Sequence, residues 1–312
     1  MSPTRRDVLK WGVGAGGAAT AAALGLPATA RAGSGFNDPS WMGRLPNSTL
    51  LARLTIPGTH DSWCTDPSNG TEWAHTQNWG IPEQLERGIR FLDIRCNGLQ
   101  GAPNEFGLYH GAAYQHHRYQ DVLDVCRNFL RQSPGETIIM RLKNENAGGQ
   151  ALGPEEFRRR FNYYMDNMGY RSLFWTAPSW PALGQVRGKI VLAADFANEW
   201  GILNWTSGTP DKNYFKIQDE WNAPNSAAKV RFITKWFDAA YYDQKSYEPY
   251  VNFTSYSADR WPKLNASQVL PDVFQYLNAR RDEKIHLGIV PMDFPDFNQD
   301  VVRLLVEKNF VR

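Results

Sequence analysis

Two histidines, His60 and His110, each stand at the end of an apolar run, in "TIPGTHDSW" and "FGLYHG". Other run ends carry charge. Asp61 follows His60, Asp93 and Arg95 lie in "RFLDIRC", Lys143 in "TIIMRLKN", Asp219 in "YFKIQDE" and Asp293 in "HLGIVPMDF". Imidazoles that titrate near neutrality suit a reaction in which one group removes a proton and another delivers one. Carboxylates such as Asp61 and Asp293 would fix tautomers, and a guanidinium between the histidines would neutralise charge on a phosphoryl oxygen. The chemistry implied is phosphodiester cleavage without a metal. A lone strand-end histidine is more often a structural hydrogen-bonder; two of them with acids and an arginine at separate ends make a stronger pattern.

The same acids, with His60, would also make an oxygen-rich Ca²⁺ or Mg²⁺ site. Arg95 and Lys143 argue against that, because fixed positive charges would crowd the cation. No metal and no cofactor is therefore expected. The remaining histidines read as structural: His116 and His117 as a surface pair, His75 as part of a rim, and His286 at the start of a run.

These residues converge only if the elements carrying them share a sheet. From about residue 50, apolar runs alternate with segments of helical period, and "QDVVRLLVEKNF" shows the helix-like stripe Val301, Val302, Leu304, Leu305 and Phe310. Eight strand candidates ("LARLTIP", "RFLDIRC", "FGLYHG", "TIIMRLKN", "KIVLAADF", "YFKIQDE", "YVNFTSYS" and "HLGIVPMDF") with helices between most of them predict an α/β fold. A single irregular (β/α)8 TIM-type barrel is the first choice, because such barrels collect functional groups at the C-terminal strand ends. "LQGAPNEF" is too short for a crossover helix, so the barrel should be irregular there. An open doubly wound sheet is the alternative, but no glycine-rich nucleotide turn follows an early strand. "LPDVFQYLNARR" is among the expected helices.

Residues 1–32 read as an export signal rather than as part of the fold. Arg5 and Arg6 precede Val8-Leu9-Lys10, a mild Gly/Ala-rich stretch runs from Trp11 to Leu26, and a small-x-small site ends at Ala32. That is the twin-arginine pattern, with cleavage near Ala32, and the stretch is too short and too mild for a membrane anchor. The product expected is a secreted protein of residues 33–312. Cleavage removes four of 34 basic residues and one of 32 acids, leaving the two signs nearly balanced. A nucleic-acid partner is disfavoured, since basic excess supplies most of that affinity. Membrane contact would then rest on aromatic groups, and Trp63, Trp73 and Trp79 near the first loop are the candidates. Nothing points to a protein partner, so a monomer is expected. Of three cysteines, Cys126 reads as buried, and the exported location permits a Cys64–Cys96 disulfide.

The segments "IPGTHDS", "GIRFLDIR", "LYHG", "SPGETIIMRLK", "RGKIVL", "VNFTS" and "MDF" resemble, in order and spacing, bacterial phosphatidylinositol-specific phospholipase C of the metal-independent type. The resemblance covers about residues 50–310 and implies an irregular barrel that cleaves phosphatidylinositol, at a membrane surface, to diacylglycerol and a cyclic inositol phosphate. It implies roles as well. His60 would be the general base on the inositol 2-hydroxyl, oriented by Asp293. His110, coupled to Asp61, would protonate the departing diacylglycerol oxygen, and Arg95 would bind a non-bridging phosphate oxygen. Asp93 and Lys143 would line the floor, and Asp219 would bind inositol hydroxyls. Two positions depart from the pattern. Asp195, after "KIVL", stands where a basic residue is expected, and Trp221 stands where a tyrosine would stack on the ring. The tryptophan is a mild change. The aspartate leaves open a related phosphodiesterase acting on another polyol or glycerol phosphodiester, or an inactive barrel that binds inositides.

Overall fold

The computed structural model describes residues 36–198, 200, 203–205, 214–258 and 260–310. The segment expected to be an export signal, residues 1–32 with cleavage near Ala32, lies outside the described residues. In chain order the strands are β1 (Thr55–Thr59), β2 (Phe91–Leu99), β3 (Ala102–His110), β4 (Ala113–Arg118), β5 (Ile138–Asn144), β6 (Phe174–Trp175), β7 (Ile190–Asp195), β8 (Leu203–Asn204), β9 (Lys216–Gln218), β10 (Tyr250–Asn252) and β11 (Gly288–Met292). The helices are α1 (Ile81–Glu86), α2 (Tyr119–Gln132), α3 (Pro154–Asp166), α4 (Leu183–Val186), α5 (Ser226–Tyr242), α6 (Pro262–Ala279) and α7 (Gln299–Glu307).

The strands run β6-β7-β5-β2-β1-β11-β10-β9, and neighbours along this path are parallel. Among the described residues β6 and β9 do not pair with each other, so the sheet is a curled, open barrel. This is the α/β architecture expected, irregular where it should be. Two details differ from the expectation. "FGLYHG" is not a barrel strand: it lies in β3, which runs antiparallel to β2 and pairs with β4 as a hairpin arm. Its place in the barrel is taken by β6, only two residues long and too short to leave a periodic signal. The reason is chain length, since the few residues after β2 allow only a reversal.

The period-two alternation of the strands separates two apolar layers. Outward residues Leu92, Ile94, Cys96, Met140, Leu142, Ile190 and Leu192 pack against the helices. Inward residues Ile56, Phe91, Ile139, Val191, Val251 and Ile289 fill the bottom of the barrel. Further up the same inward rows, β2 places Asp93 and Arg95, β5 places Arg141 and Lys143, and β7 places Asp195. Glycine is required twice at the bottom and centre. A Cβ on Gly58 would lie 2.8 Å from the Phe91 ring, and one on Gly288 (φ +76°) would lie 2.0 Å from the Tyr250 carbonyl oxygen.

Helix α6 begins eight residues before the expected Leu270, because Pro262 starts it and Ala266 and Val269 bury its first turns. The Cys64–Cys96 disulfide that an exported location would permit is not formed: Cys64, Cys96 and Cys126 are all free and buried. Cys96 belongs to the apolar layer beneath the helices, whereas Cys64 lines a small cavity beside Asp61 and Arg95. Among the described residues no helix is long and apolar enough to cross a membrane.

Candidate active site

Strand β1 ends at Thr59, and the chain delivers His60 and Asp61 to the open end of the barrel. Asp61 sits in a left-handed backbone conformation (φ +42°), as does Phe294 (φ +44°) just after Asp293. Such conformations are costly for non-glycine residues and persist only when their surroundings hold them. Here the surroundings do. Thr76 Oγ1 donates to the Asp61 carbonyl at 3.0 Å, and the Gln77 side-chain amide donates to the carbonyls of His60 (2.7 Å) and Met292 (2.9 Å). The two reversals bring Asp293 Oδ1 to 2.8 Å from His60 Nδ1, although 233 residues separate them.

Asp61 is the hub. Its Oδ2 lies 3.2 Å from His60 Nε2 and 3.3 Å from His110 Nε2, while Oδ1 receives Arg95 Nε at 2.6 Å. The Asp61 side chain is 1% exposed, against 14% for His60 and 27% for His110, so the acid is sealed behind two accessible imidazoles. Burial pushes its carboxyl up to about 7, helped by Asp93 and Glu145 and opposed by Arg95. Burial likewise lifts Asp293, with Asp61 adding to the effect. The ring of Phe253 meets His60 edge-on at 5.9 Å and closes the inner side.

Arg95 is held from below by Asp93, which accepts from Nη2 at 2.9 Å and Nε at 3.2 Å. Burial disfavours the Asp93 carboxylate, but Arg95 and Arg141 outweigh it and keep the group well below the ordinary range. Lys143, Arg95's register partner on β5, lies 2.5 Å from Glu145 Oε2. Glu145 also accepts the Gly111 backbone N–H at 3.0 Å, tying the β3–β4 turn next to His110 to the end of β5. Burial would raise the Glu145 carboxyl, yet Lys143 and Arg95 prevail and hold it at about 2.

The structure thus unites His60, His110, Arg95, Asp61, Asp293, Asp93 and Lys143 as expected. His110 arrives by a different route, from the tip of the antiparallel hairpin. Asp195 stands three strands from β1 on one side, at the register position of Lys143. It receives Arg141 Nη2 at 2.6 Å and Nε at 3.1 Å, so its charge is paired. Asp219 and Trp221 follow β9, three strands from β1 on the other side, and both are half-buried. Beside them Lys229 is fully buried, with Nζ 3.0 Å from Gln218 Oε1 and 3.3 Å from the Glu220 carbonyl. Burial lowers its pKa to about 8 against the pull of Asp219, Glu220 and Asp293. Arg141, Glu145 and Lys229 were not among the expected site residues. Counting by two along β5 from Lys143 reaches Arg141 and Glu145; nothing in the helical run around Lys229 marks it.

His60, Asp61 and Asp93 each offer an atom within 4.8 Å of the others, the spacing of a metal site. Arg95 already donates to both of those carboxylates, at 2.6 and 2.9 Å, which sets a fixed positive charge where a cation would stand. The remaining histidines have other partners. His116 and His117 are exposed on β4, His75 is buried against Phe294, and His286 is engaged through its backbone N–H with Gln244.

The tryptophans expected at the rim divide. Trp73 is 40% exposed, Trp63 packs on the His117 ring at 4.7 Å, and Trp79 is 7% exposed and so belongs to the interior. Trp261, Leu264 and Phe297, which lie in or beside the segments after β10 and β11, are exposed as well.

Over most of its length the chain is similar to known proteins. The family model "Phosphatidylinositol-specific phospholipase C, X domain" matches residues 56–195. A 1-phosphatidylinositol phosphodiesterase of Listeria monocytogenes is 31% identical, over 86% of this chain and 84% of its own length. One from Staphylococcus aureus is 29% identical, over 86% of this chain and 94% of its own length. The solved Listeria monocytogenes phosphatidylinositol-specific phospholipase C superposes with a TM-score of 0.72 at 30% identity, covering 88% of this chain and 99% of that one. A Staphylococcus aureus structure superposes with a TM-score of 0.77 at 27% identity, covering 88% and 98%. With two histidines and an arginine gathered on one buried aspartate, and kinship extending over most of its length, the chain belongs to the bacterial phosphatidylinositol-specific phospholipase C family.

Proposed function

We propose that this protein is a secreted phosphodiesterase of the phosphorus–oxygen lyase type that cleaves phosphatidylinositol to diacylglycerol and inositol 1,2-cyclic phosphate. The observation that carries the reading is the pair of imidazole Nε2 atoms 3.2 and 3.3 Å from one oxygen of Asp61, with Arg95 on the other oxygen. Asp293 occupies His60 Nδ1, so Nε2, which faces Asp61 Oδ2 at 3.2 Å, is the nitrogen that takes the proton of the inositol 2-hydroxyl. The freed oxygen attacks phosphorus, the bond to the diacylglycerol oxygen breaks, and His110 supplies the proton to that leaving group. Arg95, oriented by Asp93, neutralises the charge that grows on a non-bridging oxygen in the transition state. Asp61 couples the two proton transfers because it touches both imidazoles and the guanidinium. No step requires a metal.

Lys143 and Asp195 on one wall, and Asp219 and Trp221 on the other, would bind the hydroxyls and face of the inositol ring. The pairing of Asp195 with Arg141 removes the objection that a bare acid would repel a phosphodiester. Trp73, Trp261, Leu264 and Phe297 supply apolar contact for a bilayer interface at the mouth. The Arg5-Arg6 segment supports export by the twin-arginine route, with cleavage near Ala32 and action outside the cell.

The test is release of cyclic inositol phosphate from phosphatidylinositol vesicles, with and without chelator. Product is expected in both arms and is expected to vanish in His60→Ala and His110→Ala. Full activity in either variant refutes the acid–base assignment, and abolition by chelator refutes the metal-free one.

A further inference from the structure

Five charges alternate in sign across four strands: Asp195 on β7, Arg141 on β5, Asp93 and Arg95 on β2, and Asp61 after β1. Each link is short. Arg141 Nη2 reaches Asp195 Oδ2 at 2.6 Å, Arg141 Nη1 reaches Asp93 Oδ1 at 3.2 Å, Arg95 Nη2 reaches Asp93 Oδ2 at 2.9 Å, and Arg95 Nε reaches Asp61 Oδ1 at 2.6 Å. We propose that Arg141, with Asp195 as its counter-ion, is a positioning residue that holds Arg95 in register with the scissile phosphate by fixing Asp93. The inference rests on the reading of Arg95 as the phosphate ligand.

Asp93 is the shared part. Its Oδ2 takes both Arg95 nitrogens and the Asp61 backbone N–H (3.2 Å), while Oδ1 takes Arg141. With both oxygens engaged, the carboxylate cannot rotate without breaking a buried charged bond, and neither can the guanidinium it carries. Without Arg141, Oδ1 loses its partner in a site 1% exposed, and the rotational constraint on Asp93 disappears.

Arg141 is itself fixed on three sides. Asp195 takes Nε and Nη2 together, Asp93 takes Nη1, and the guanidinium lies over the Trp205 ring at 4.7 Å. Trp205 is anchored by Phe91, Phe215 and Phe253, with ring centroids 4.9 to 6.1 Å away. A lysine offers a point charge on a flexible stem and cannot bridge both acids in one plane. The aspartate at 195 is therefore part of a pair whose other half stands on the neighbouring strand. Both bonds from Arg141 to the acid fall on Oδ2, which leaves Oδ1 for a head-group hydroxyl.

The test uses phosphatidylinositol analogues in which one or the other non-bridging phosphate oxygen is replaced by sulfur. The ratio of rates for the two isomers reports how well a guanidinium grips one particular oxygen, and a merely structural role would not move it. Arg141→Met is expected to lower kcat on the natural lipid by about 10- to 100-fold with little change in KM, and to reduce the isomer ratio by a comparable factor. Arg141→Lys, which keeps the charge and most of the volume, is expected to fold and to lose about tenfold of the ratio. A ratio unchanged in Arg141→Lys overturns the proposal, whatever the fate of the methionine variant. Arg95→Ala is the control: if it too leaves the ratio unchanged, the assignment of Arg95 to the phosphate fails instead.

Discussion

Glu145→Gln removes one charge from a buried cluster and keeps its shape. The amide oxygen still accepts from the Gly111 N–H, while Lys143 and Arg95 lose the negative partner they share. In the folded protein the Glu145 carboxyl is brought from its ordinary 4.5 to about 2, with the attraction of Lys143 and Arg95 outweighing burial. Each pKa unit corresponds to about 1.4 kcal/mol, so the ionised form stabilises the fold by roughly 3 kcal/mol relative to a neutral side chain. The sign follows from the direction of the shift. A lowered carboxylate contributes its full stability above the unfolded pKa and loses it as the pH falls through the folded one. The difference between parent and Glu145→Gln should therefore be about 3 kcal/mol at pH 7 and about 1 kcal/mol at pH 3. Denaturant titrations of both proteins at a series of pH values measure it, and in thermal melts the pH 7 gap corresponds to roughly 6–12 °C. Equal stability at pH 7, or a difference that does not shrink in acid, refutes the account of Glu145 as an ionised clasp between the hairpin and β5.

Asp293→Asn keeps a polar group at 2.8 Å from His60 Nδ1 but replaces the carboxyl by an amide; kcat is expected to fall by about 100-fold or more, and activity near the parent's would contradict the orienting role. Glu136→Ala strips the partner from Arg90, both side chains being fully buried, and should cost about 3–5 kcal/mol in a denaturant titration. Gly288→Ala meets the Tyr250 carbonyl at a left-handed position, and soluble yield or melting should show a loss above about 2 kcal/mol. Trp73→Ala combined with Trp261→Ala should weaken sedimentation with phosphatidylinositol vesicles without changing turnover of a short-chain soluble analogue; undiminished binding would remove both residues from the interface.

Much of the site was legible because parallel barrel strands deliver side chains by a simple rule, namely alternate positions at C-terminal ends. That rule places His60, Asp93, Arg95, Lys143 and Asp293 with no knowledge of contacts. Applied more fully it also reaches Arg141, which lies two before Lys143, and Glu145, which lies two after. What pattern did not provide was the route of His110, because a hairpin arm and a barrel strand share the same alternation and differ only in the partner they find. The two-residue β6 and the early start of α6 went unseen for a related reason: their identity comes from neighbours, not from propensity. Whether Cys64 and Cys96 pair stayed open in the sequence, because compartment permits a bond but says nothing of direction, and Cys96 faces the helices.

By its own pattern the sequence determined the class of chemistry and the elements that carry it: two imidazoles, a guanidinium and orienting carboxylates set on the ends of β-strands. Pattern alone did not say which acid lies against which histidine; the resemblance implied a pairing, and the tertiary structure supplies the contacts. Asp61 reaches both histidines because its backbone turns left-handed at that point, and Asp293 reaches His60 across 233 residues because β1 and β11 pair in register. The meaning of Asp195 was likewise decided in three dimensions. One residue alone reads as an acid in the wrong place, and the charge that answers it lies on another strand, where no local pattern connects the two.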